Sequence, residues 1–328
     1  SRPTVVVEGG GSRSRPYVAH IDREDCWDAL VSQHLEHLTA VVRTADMKEK
    51  LSEINHASDN VIAAFFEAVT TQLRKQWPPV MAAQVDRLAH QLDMSFLGVT
   101  MMQMIFEMMT YSTSFVYKAP DGVVVHGRST EWPSSLLKQI SVPIHIYVGG
   151  NLRAKAVHWV GCVGFFSVLT PGYSVSINYR SQRRTTVASA VSSICQRMPG
   201  FRNFEKVLRG SLQDFHLVGI AKLLEGHVVS TLMVRDLVLR ESTYQGACRA
   251  VQSAKLCSEV FVLVAGPTNA ARYPKTTEAP FTQGVETLDH VPYLVQPAMG
   301  SIKYIIYSMN LFWWNGEDGG PDESNDMS

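Results

Sequence analysis

The sequence predicts an α+β fold in which a mostly helical first third precedes a run of strands and a second group of helices. Apolar residues recur at helical spacing through about the first 110 residues. After Tyr111 the pattern changes to short strand-like segments separated by Gly and Pro turns, and helical spacing returns later in the chain. Because strands follow strands and helices follow helices, layered α+β packing is favoured over repeated βαβ units.

The composition is that of a globular protein without a dominant charge. The 328 residues are 45% hydrophobic and 18% charged, with a formal net charge of zero, which argues against a broad surface for nucleic acid or membranes. No run of about 18 apolar residues is present, so we predict no membrane span, and the first residues lack the apolar core of a secretory signal. The five cysteines are scattered without a C-x-x-C pair, which favours buried thiols and a reducing, cytoplasmic setting.

Four helices are predicted before Tyr111. They cover about residues 24–43, 58–77, 82–92 and 95–109. In the first helix, the positions predicted to face inward are Trp27, Leu30, Val31, Leu35, Leu38 and Val42. The fourth helix carries a methionine cluster (GVTMMQMIFEMMTY), for which we prefer core filling over an adaptable binding surface.

The second part of the chain is predicted to hold most of the strands. They cover about residues 114–117, 123–126, 142–148, 154–160, 161–169, 173–179 and 260–266, and a GGN hairpin signal separates the third from the fourth. Helices are expected at about 185–197, 203–211, 230–240 and 243–255. We therefore divide the chain into a flexible arm (1–16), a helical region (17–111), a sheet-containing domain (112–314) and an acidic tail (315–328) that is disordered by itself.

The strand around Ser112 has the layout of an N-terminal-nucleophile site. Such a hydrolase needs a Cys, Ser or Thr made terminal by cleavage of the preceding peptide bond, because the freed α-amine then serves as base for that residue's own side chain. Supporting groups orient the amine and stabilise the tetrahedral oxyanion. The stretch from Thr110 to Pro133 offers a serine that opens a strand and is followed by a hairpin.

The motifs in this stretch are specific. The chain reads "FE" at 106–107, "STS" at 112–114 and "HGRSTEW" at 126–132. With this spacing it resembles the family of acid ceramidase and N-acylethanolamine-hydrolysing acid amidase, over about residues 17–307. The resemblance implies a helical α-subunit followed by a catalytic β-subunit with the αββα sandwich of N-terminal-nucleophile hydrolases. It also implies a lysosomal amidase as the ancestral activity.

At the family's functional positions, this chain keeps one residue and changes four. By the resemblance, the nucleophilic cysteine corresponds to Ser112, the arginine is kept as Arg128, and the amine-orienting aspartate corresponds to Glu131. The catalytic glutamate of an Asn-Glu-Arg segment corresponds to Tyr179, and the oxyanion-donating asparagine to Leu288 in a segment one residue shorter. A hydroxyl is less ionised than a thiol, and one oxyanion donor contributes about 100- to 1000-fold in rate. Four changes in four chemical roles predict a degenerate, inactive site.

Other candidate features give no indication of cofactor chemistry. His126 is predicted to be a structural strand histidine rather than a ligand. No spacing of His, Cys, Asp and Glu resembles a zinc site, and no glycine-rich phosphate loop lies between a strand and a helix. We therefore predict no cofactor and no metal. If the site is inactive, Arg128 is expected to satisfy buried carbonyls or to pair with Glu131.

Two functions stay open on the sequence alone. The first is a catalytically inactive amidase fold that serves as a structural or interaction component of a larger protein assembly, with ciliary or flagellar axonemal microtubules, or a mitochondrial particle, as settings. The segment NLFWW (310–314) is then expected to be a partner-facing anchor, unless it packs on the domain's own core. The second is a serine-nucleophile N-acyl amide hydrolase, cleaved between Tyr111 and Ser112, in the family's lysosomal setting. Either protein could retain a lipid or acyl ligand, because the apolar walls of such a pocket also serve the core.

Overall fold

The computed structural model describes residues 16–44, 60–108, 111–118, 124–131, 136–179, 187–204, 214–258, 260–266 and 308–314. Its helices are α1 (Asp28–Val42), α2 (Asn60–Gln76), α3 (Pro79–Leu92), α4 (Phe96–Met108), α5 (Leu136–Gln139), α6 (Val187–Arg197), α7 (Asp214–Leu224), α8 (Ser230–Arg240) and α9 (Tyr244–Ser253), with a 3₁₀ helix at Pro199–Phe204. Its strands are β1 (Tyr17–His20), β2 (Tyr111–Lys118), β3 (Val124–Glu131), β4 (Ser141–Val148), β5 (Asn151–Trp159), β6 (Ser167–Leu169), β7 (Ser174–Tyr179), β8 (Val260–Ala265) and β9 (Ser308–Trp314).

The described strands form two sheets. The larger sheet has the order β1-β4-β5-β6-β7-β8, and the smaller has the order β2-β3-β9. Only the β1–β4 pair is parallel among the described pairs, and the others are antiparallel. The hairpin between β4 and β5 turns at Gly149 and Gly150, whose φ angles are +58° and +79°. Because two successive positive φ angles define a type I′ turn, glycines fit both positions.

The two sheets face each other, and helices pack on the larger one. Strand β2 of the small sheet contacts β7 and β8 of the large sheet, while α8 contacts β5 and β7 and α9 contacts β8. The predicted α+β class is therefore confirmed, and the described residues include a helix layer and the two sheets of the expected sandwich. The order of the layers places the β2–β3 hairpin against the polar side of β7.

A continuous hydrophobic core links the helical first part to the sheets. Buried residues from α1, α2 and α4 belong to the same cluster as buried residues from β7 and α8. The methionines of α4 that the structure describes, Met101, Met102 and Met104, are all buried, so the prediction of core filling is confirmed. All five cysteines are buried as thiols, as the sequence predicted.

Most predicted elements are present, with different bounds. The helix expected at 230–240 is α8 at the same residues, whereas the hairpin strands β2 and β3 are longer than predicted. The described elements missed by the sequence prediction are β1, α5, α7, β9 and the 3₁₀ helix. Residues 1–15, most of the 203–211 helix and the acidic tail lie outside the described residues.

Two detailed predictions are wrong. Leu35 was expected to face inward but is 37% exposed, because it lies at the edge of the apolar stripe of α1. The strand expected at 161–169 is limited to Ser167–Leu169. Before it, the Val163 N–H donates to Gln103 of α4 at 2.8 Å and the Phe165 N–H donates to the Thr231 carbonyl of α8 at 3.0 Å. These two N–H groups are thus bonded to helices instead of a neighbouring strand.

Candidate functional site

The β2–β3 hairpin presents three of the sequence-predicted side chains on one face. Ser112 lies opposite Thr130, Ser114 opposite Arg128, and Val116 opposite His126. Directly paired residues of antiparallel strands share a face of the sheet. The hairpin therefore carries Ser112, Arg128 and His126 toward the large sheet, where His126 and Arg128 are buried and Ser112 is half-buried.

The large sheet meets this hairpin with a second row of polar residues. Ser174, Ser176 and Asn178 occupy alternate positions of β7 and therefore share one of its faces. All three are buried. The two rows together form a polar layer between the sheets, which we call the seam and define as Ser112, Ser114, His126, Arg128, Ser174, Ser176 and Asn178.

Ser112 receives a hydrogen bond from Asn178. The amide nitrogen of Asn178 faces the Ile177 carbonyl oxygen at 3.1 Å, and its oxygen faces the Ser114 backbone N–H at 3.2 Å. A carbonyl only accepts and a backbone N–H only donates, so these two groups fix the orientation of the amide. In this orientation the nitrogen donates to Ser112 Oγ at 3.0 Å.

Hydroxyl groups connect Asn178 to His126. Ser114 Oγ lies 2.9 Å from the Asn178 nitrogen and 3.0 Å from its oxygen, and Ser176 Oγ lies 2.9 Å from Ser114 Oγ. The ring of His126 contacts Ser176 Oγ through Nε2 and Ser174 Oγ through Nδ1, both at 2.8 Å. Burial, followed by the charge of Arg128, lowers the pKa of His126 to about 3, so the ring is neutral at physiological pH.

Arg128 contacts a backbone carbonyl and an aromatic ring beside the other seam residues. Its Nε donates to the Ile177 carbonyl at 3.0 Å, and its guanidinium lies over the ring of Phe166, 5.2 Å from the centroid. Burial lowers the pKa of Arg128 to about 9. One of its two predicted roles, satisfying a buried carbonyl, is therefore found.

The other predicted site positions have less defined places. Glu131 pairs with Tyr111 at the end of the hairpin, one residue beyond the Ser112–Thr130 pair. Tyr179 is the last residue of β7 and pairs with Val260 of β8. Leu288 lies outside the described residues. The structure thus brings Ser112 and Arg128 to the same face of the hairpin, and it places Glu131 and Tyr179 at strand ends close in sequence to seam residues.

The sequence prediction assigned no role to most of the seam. The sequence motifs give Asn178 no role, and of the serines at 114, 174 and 176 they contain only Ser114. Their alternation in "SVSIN" (174–178) is the pattern of a strand with one solvent-facing side. The signal that distinguishes a buried polar face is the matching alternation in β2 and β3, and it becomes informative only when the two sheets are known to face each other.

Among the described side chains, no group of three or more His, Cys, Asp and Glu residues is arranged to hold a metal ion. Within the same part of the chain, none of the helices combines the length and apolarity needed to cross a bilayer.

The fold and the seam define an α+β protein in which a hairpin with Ser112 near its start packs on a second sheet, and comparison with known proteins adds a family likeness. The chain is 23% identical over 111 residues to the N-acylethanolamine-hydrolyzing acid amidase of Oryctolagus cuniculus, which covers 34% of this chain and 31% of that protein. It is 18% identical over 275 residues to the enzyme of the same name from Caenorhabditis elegans, which covers 80% of this chain and 67% of that protein. The chain thus spans about a third of the rabbit relative's length.

A solved structure and the family models complete the comparison. The structure of the Caenorhabditis elegans ortholog of N-acylethanolamine-hydrolyzing acid amidase matches 48% of this chain and 55% of its own, with 20% identity and a TM-score of 0.32. No family model matches the sequence. The sequence matches support the resemblance to the N-acylethanolamine-hydrolysing acid amidase family as a distant similarity.

Proposed function

We propose that this chain is an amidase-fold protein that no longer hydrolyses amides and that serves as an interaction component of a larger protein assembly. The proposal combines the distant similarity to the acid amidases with the chemistry around Ser112. The division into a helical region (17–111) and a nucleophile-bearing domain (112–314) is part of the same proposal.

The contact between Asn178 and Ser112 carries this proposal. In the uncut chain the α-amine of Ser112 is part of a peptide bond, so a serine nucleophile there needs another group that takes its proton, such as an imidazole or a carboxylate. Among the described side chains, the group in contact with Ser112 Oγ is the Asn178 amide nitrogen, which donates and cannot accept. The nearest imidazole in the hydrogen-bond chain, His126, is separated from Ser112 by Ser176, Ser114 and Asn178.

The substitutions at the family's catalytic positions support the same reading. A phenol at Tyr179 replaces a carboxylate, and Leu288 replaces an amide donor. Glu131 is longer by one methylene than the family's aspartate, where a misplacement of about 1 Å can cost about 100-fold in rate. Each of these changes weakens a different step of acyl transfer.

Hydrolysis of a fluorogenic N-acyl amide by the purified full chain tests the loss of activity. We expect no turnover above that of the Ser112→Ala variant, at either acidic or neutral pH. Turnover by the wild type that Ser112→Ala abolishes would overturn the proposal. A thermal melt of both proteins controls for folding, because a hydroxyl-to-hydrogen change at a half-buried position is small.

The partner is proposed to be a protein, in a cytoplasmic or cytoskeletal setting such as the ciliary or flagellar axoneme. A mitochondrial or lysosomal location is the alternative. The NLFWW segment, offered above as a partner-facing anchor, pairs through its backbone with β3 as part of β9. Proximity labelling with the tagged full chain in its native cell tests the setting. Enrichment of axonemal proteins supports it, and enrichment of lysosomal proteins contradicts it.

A serine-nucleophile amidase acting on N-acyl lipids is the second candidate function. The specific observation in its favour is the Asn178 nitrogen 3.0 Å from Ser112 Oγ, because an amide donor beside a nucleophile can stabilise an oxyanion in place of the one lost at Leu288. This candidate requires cleavage before Ser112 and an acyl-binding pocket. In the hydrolysis assay, it predicts turnover only from cleaved protein, with loss of turnover in both Ser112→Ala and Asn178→Ala.

A further inference from the structure

We infer that His126 is a positioning residue that carries its proton on Nε2 and thereby sets the direction of a hydrogen-bond chain ending at Ser112 Oγ. The inference goes beyond the proposed function and holds whether or not the site hydrolyses amides. It rests on the contacts of six seam residues, all of them in described strands.

The direction of the hydrogen-bond chain is fixed first at the side-chain amide of Asn178. Its orientation is fixed by the Ile177 carbonyl on one side and the Ser114 backbone N–H on the other. These partners have only one hydrogen-bonding sense each, so the amide nitrogen faces Ser112 and the amide oxygen faces the Ser114 backbone. The Asn178 nitrogen can therefore donate to Ser112 Oγ but cannot accept from it.

Ser114 decides the direction of the remaining chain. Its single hydroxyl proton can go to the Asn178 oxygen at 3.0 Å or to Ser176 Oγ at 2.9 Å. In the first case, the two protons of the Asn178 nitrogen are left for Ser112 Oγ and the Ile177 carbonyl. In the second case, Ser176 donates to His126 Nε2 and His126 donates from Nδ1 to Ser174, whose own hydroxyl proton then has no acceptor among the described contacts. The first arrangement makes one more hydrogen bond, and buried polar groups favour the arrangement that satisfies more of them.

The tautomer of His126 follows from this direction. When Ser114 donates to Asn178, Ser176 donates to Ser114, and the Ser176 proton is then committed. Ser176 must consequently accept from His126, so the proton of the neutral ring lies on Nε2. The bare Nδ1 accepts from the Ser174 hydroxyl at 2.8 Å. The order of donation is Ser174, His126, Ser176, Ser114, Asn178 and Ser112.

This direction determines what Ser112 can do. One lone pair of its oxygen is engaged by the Asn178 N–H, so the hydroxyl proton of Ser112 points away from the Asn178 nitrogen. A hydroxyl that accepts at its oxygen becomes a better donor and a poorer nucleophile. Ser112 is thus prepared to donate to an acceptor oxygen of a ligand, such as a carbonyl or a carboxylate.

The tautomer can be measured on the full wild-type chain. Two-bond proton–nitrogen correlations of protein labelled with ¹⁵N-histidine distinguish a ring protonated at Nε2 from one protonated at Nδ1, and a His126→Gln spectrum assigns the signal. We expect Nε2–H for His126 at neutral pH. The Nδ1–H tautomer would overturn the inference, because it requires the opposite direction of donation. This result is independent of any hydrolysis assay.

A second experiment tests the coupling between the chain and position 112. The Ser112→Cys variant introduces a thiol whose alkylation by iodoacetamide reports on the Asn178 N–H, because a hydrogen bond to the thiolate favours ionisation. Adding Ser176→Ala removes the donor to Ser114, which then competes for the Asn178 N–H. We expect the alkylation rate at neutral pH to fall about three- to tenfold, the factor that one hydrogen bond commands.

Matched variants keep this experiment decisive. Thr100→Val deletes a buried hydroxyl in α4 that donates to the Phe96 carbonyl of the same helix and is not part of the seam, and it should leave the alkylation rate unchanged in the Ser112→Cys background. The native thiols are all buried, so background labelling is low. An unchanged rate in the Ser176→Ala double variant would contradict the positioning role. If that variant fails to fold, the tautomer measurement still decides the question.

Discussion

Two buried arginines, Arg128 and Arg235, occupy different parts of the molecule and make similar contacts. Arg128 lies in the seam and donates to the Ile177 carbonyl. Arg235, on α8, donates to the Val163 carbonyl at 2.9 Å and to the Ile21 carbonyl at 2.7 Å. Burial lowers the pKa of both, to about 9 for Arg128 and about 10 for Arg235. Only Arg128 was predicted, from the family resemblance, to lie at a catalytic position.

The two arginines show that an arginine can be buried in this fold for a structural reason, without a catalytic role. Arg235 ties the turn after β1 to the loop before β6, far from any candidate nucleophile in sequence. Cys26 interacts electrostatically with Arg235. Its thiol stays protonated and unreactive because burial raises its pKa to about 12. Arg128 likewise donates a hydrogen bond to a carbonyl, that of Ile177. The burial of Arg128 is therefore explained by packing alone, and the chemistry of the site depends on its neighbours.

Each buried arginine has a buried histidine nearby, and the pair of histidines gives the largest expected effect. The pKa of His126 is about 3 because of burial and Arg128, and the pKa of His158 is about 3 because of burial, with a smaller contribution from Arg235. The pKa of a histidine in an unfolded chain is about 6.5. Between about pH 6.5 and 3, the unfolded state therefore binds more protons, and the free energy of unfolding falls as pH falls, by about 1.4 kcal/mol per pH unit for each histidine.

Urea unfolding at a series of pH values measures this slope. We expect the free energy of unfolding to fall by roughly 3 kcal/mol per pH unit from the two histidines together. His126→Gln and His158→Gln should each remove about half of the slope. A slope that neither variant changes would contradict the assignment of both rings as buried and neutral. The effect also bears on the cellular compartment in which the protein is stable. A fall of about two pH units would lower the free energy of unfolding by roughly 5 kcal/mol, which is comparable with the whole stability of many domains.

Substituting the two arginines separates their structural weights. Arg235→Met leaves two buried carbonyls without their donor and should lower the free energy of unfolding by about 4 kcal/mol. Arg128→Met loses the Ile177 contact and the stacking on Phe166, and we expect about 2 kcal/mol. Denaturant titration compares them with Arg240→Met, an arginine whose side chain is 69% exposed, for which about 0.5 kcal/mol or less is expected. An Arg235→Met effect as small as that control would refute the packing role.

Gly164 lies in the loop before β6 that Arg235 contacts through the Val163 carbonyl, a place that we call the junction. Substituting Gly164 should change the free energy of unfolding by a smaller amount. A Cβ at Gly164 would lie 2.3 Å from the carbonyl carbon of Thr231 in α8, so the loop and helix must separate to admit it. Gly164→Ala should lower the free energy of unfolding by about 1–3 kcal/mol. Gly200→Ala is the matched control, because no atom lies within 4 Å of its added Cβ. Equal stabilities of the two variants in a thermal melt would show that the junction is looser than described.

The sequence predicted the local elements better than their partners. Ser230–Arg240 was predicted at its actual bounds, because helical spacing and the flanking residues are local signals. The strand prediction at 161–169 failed, because the N–H groups of Val163 and Phe165 are satisfied by α4 and α8, which lie far away in sequence. The site was predicted through Ser112 and Arg128, which belong to a contiguous motif. Asn178 and the β7 serines were missed, because their pattern is identical to that of a solvent-facing strand.

The state of the Tyr111–Ser112 peptide bond tests the central claim, that Ser112 no longer acts as an N-terminal nucleophile. In the described structure this bond lies within β2, and Tyr111 pairs with Glu131. The intact mass of the protein purified from its native compartment is the direct measurement. A single uncut chain is the result we expect. Two fragments divided between Tyr111 and Ser112, with a free amine on Ser112, would contradict the claim and favour the serine amidase.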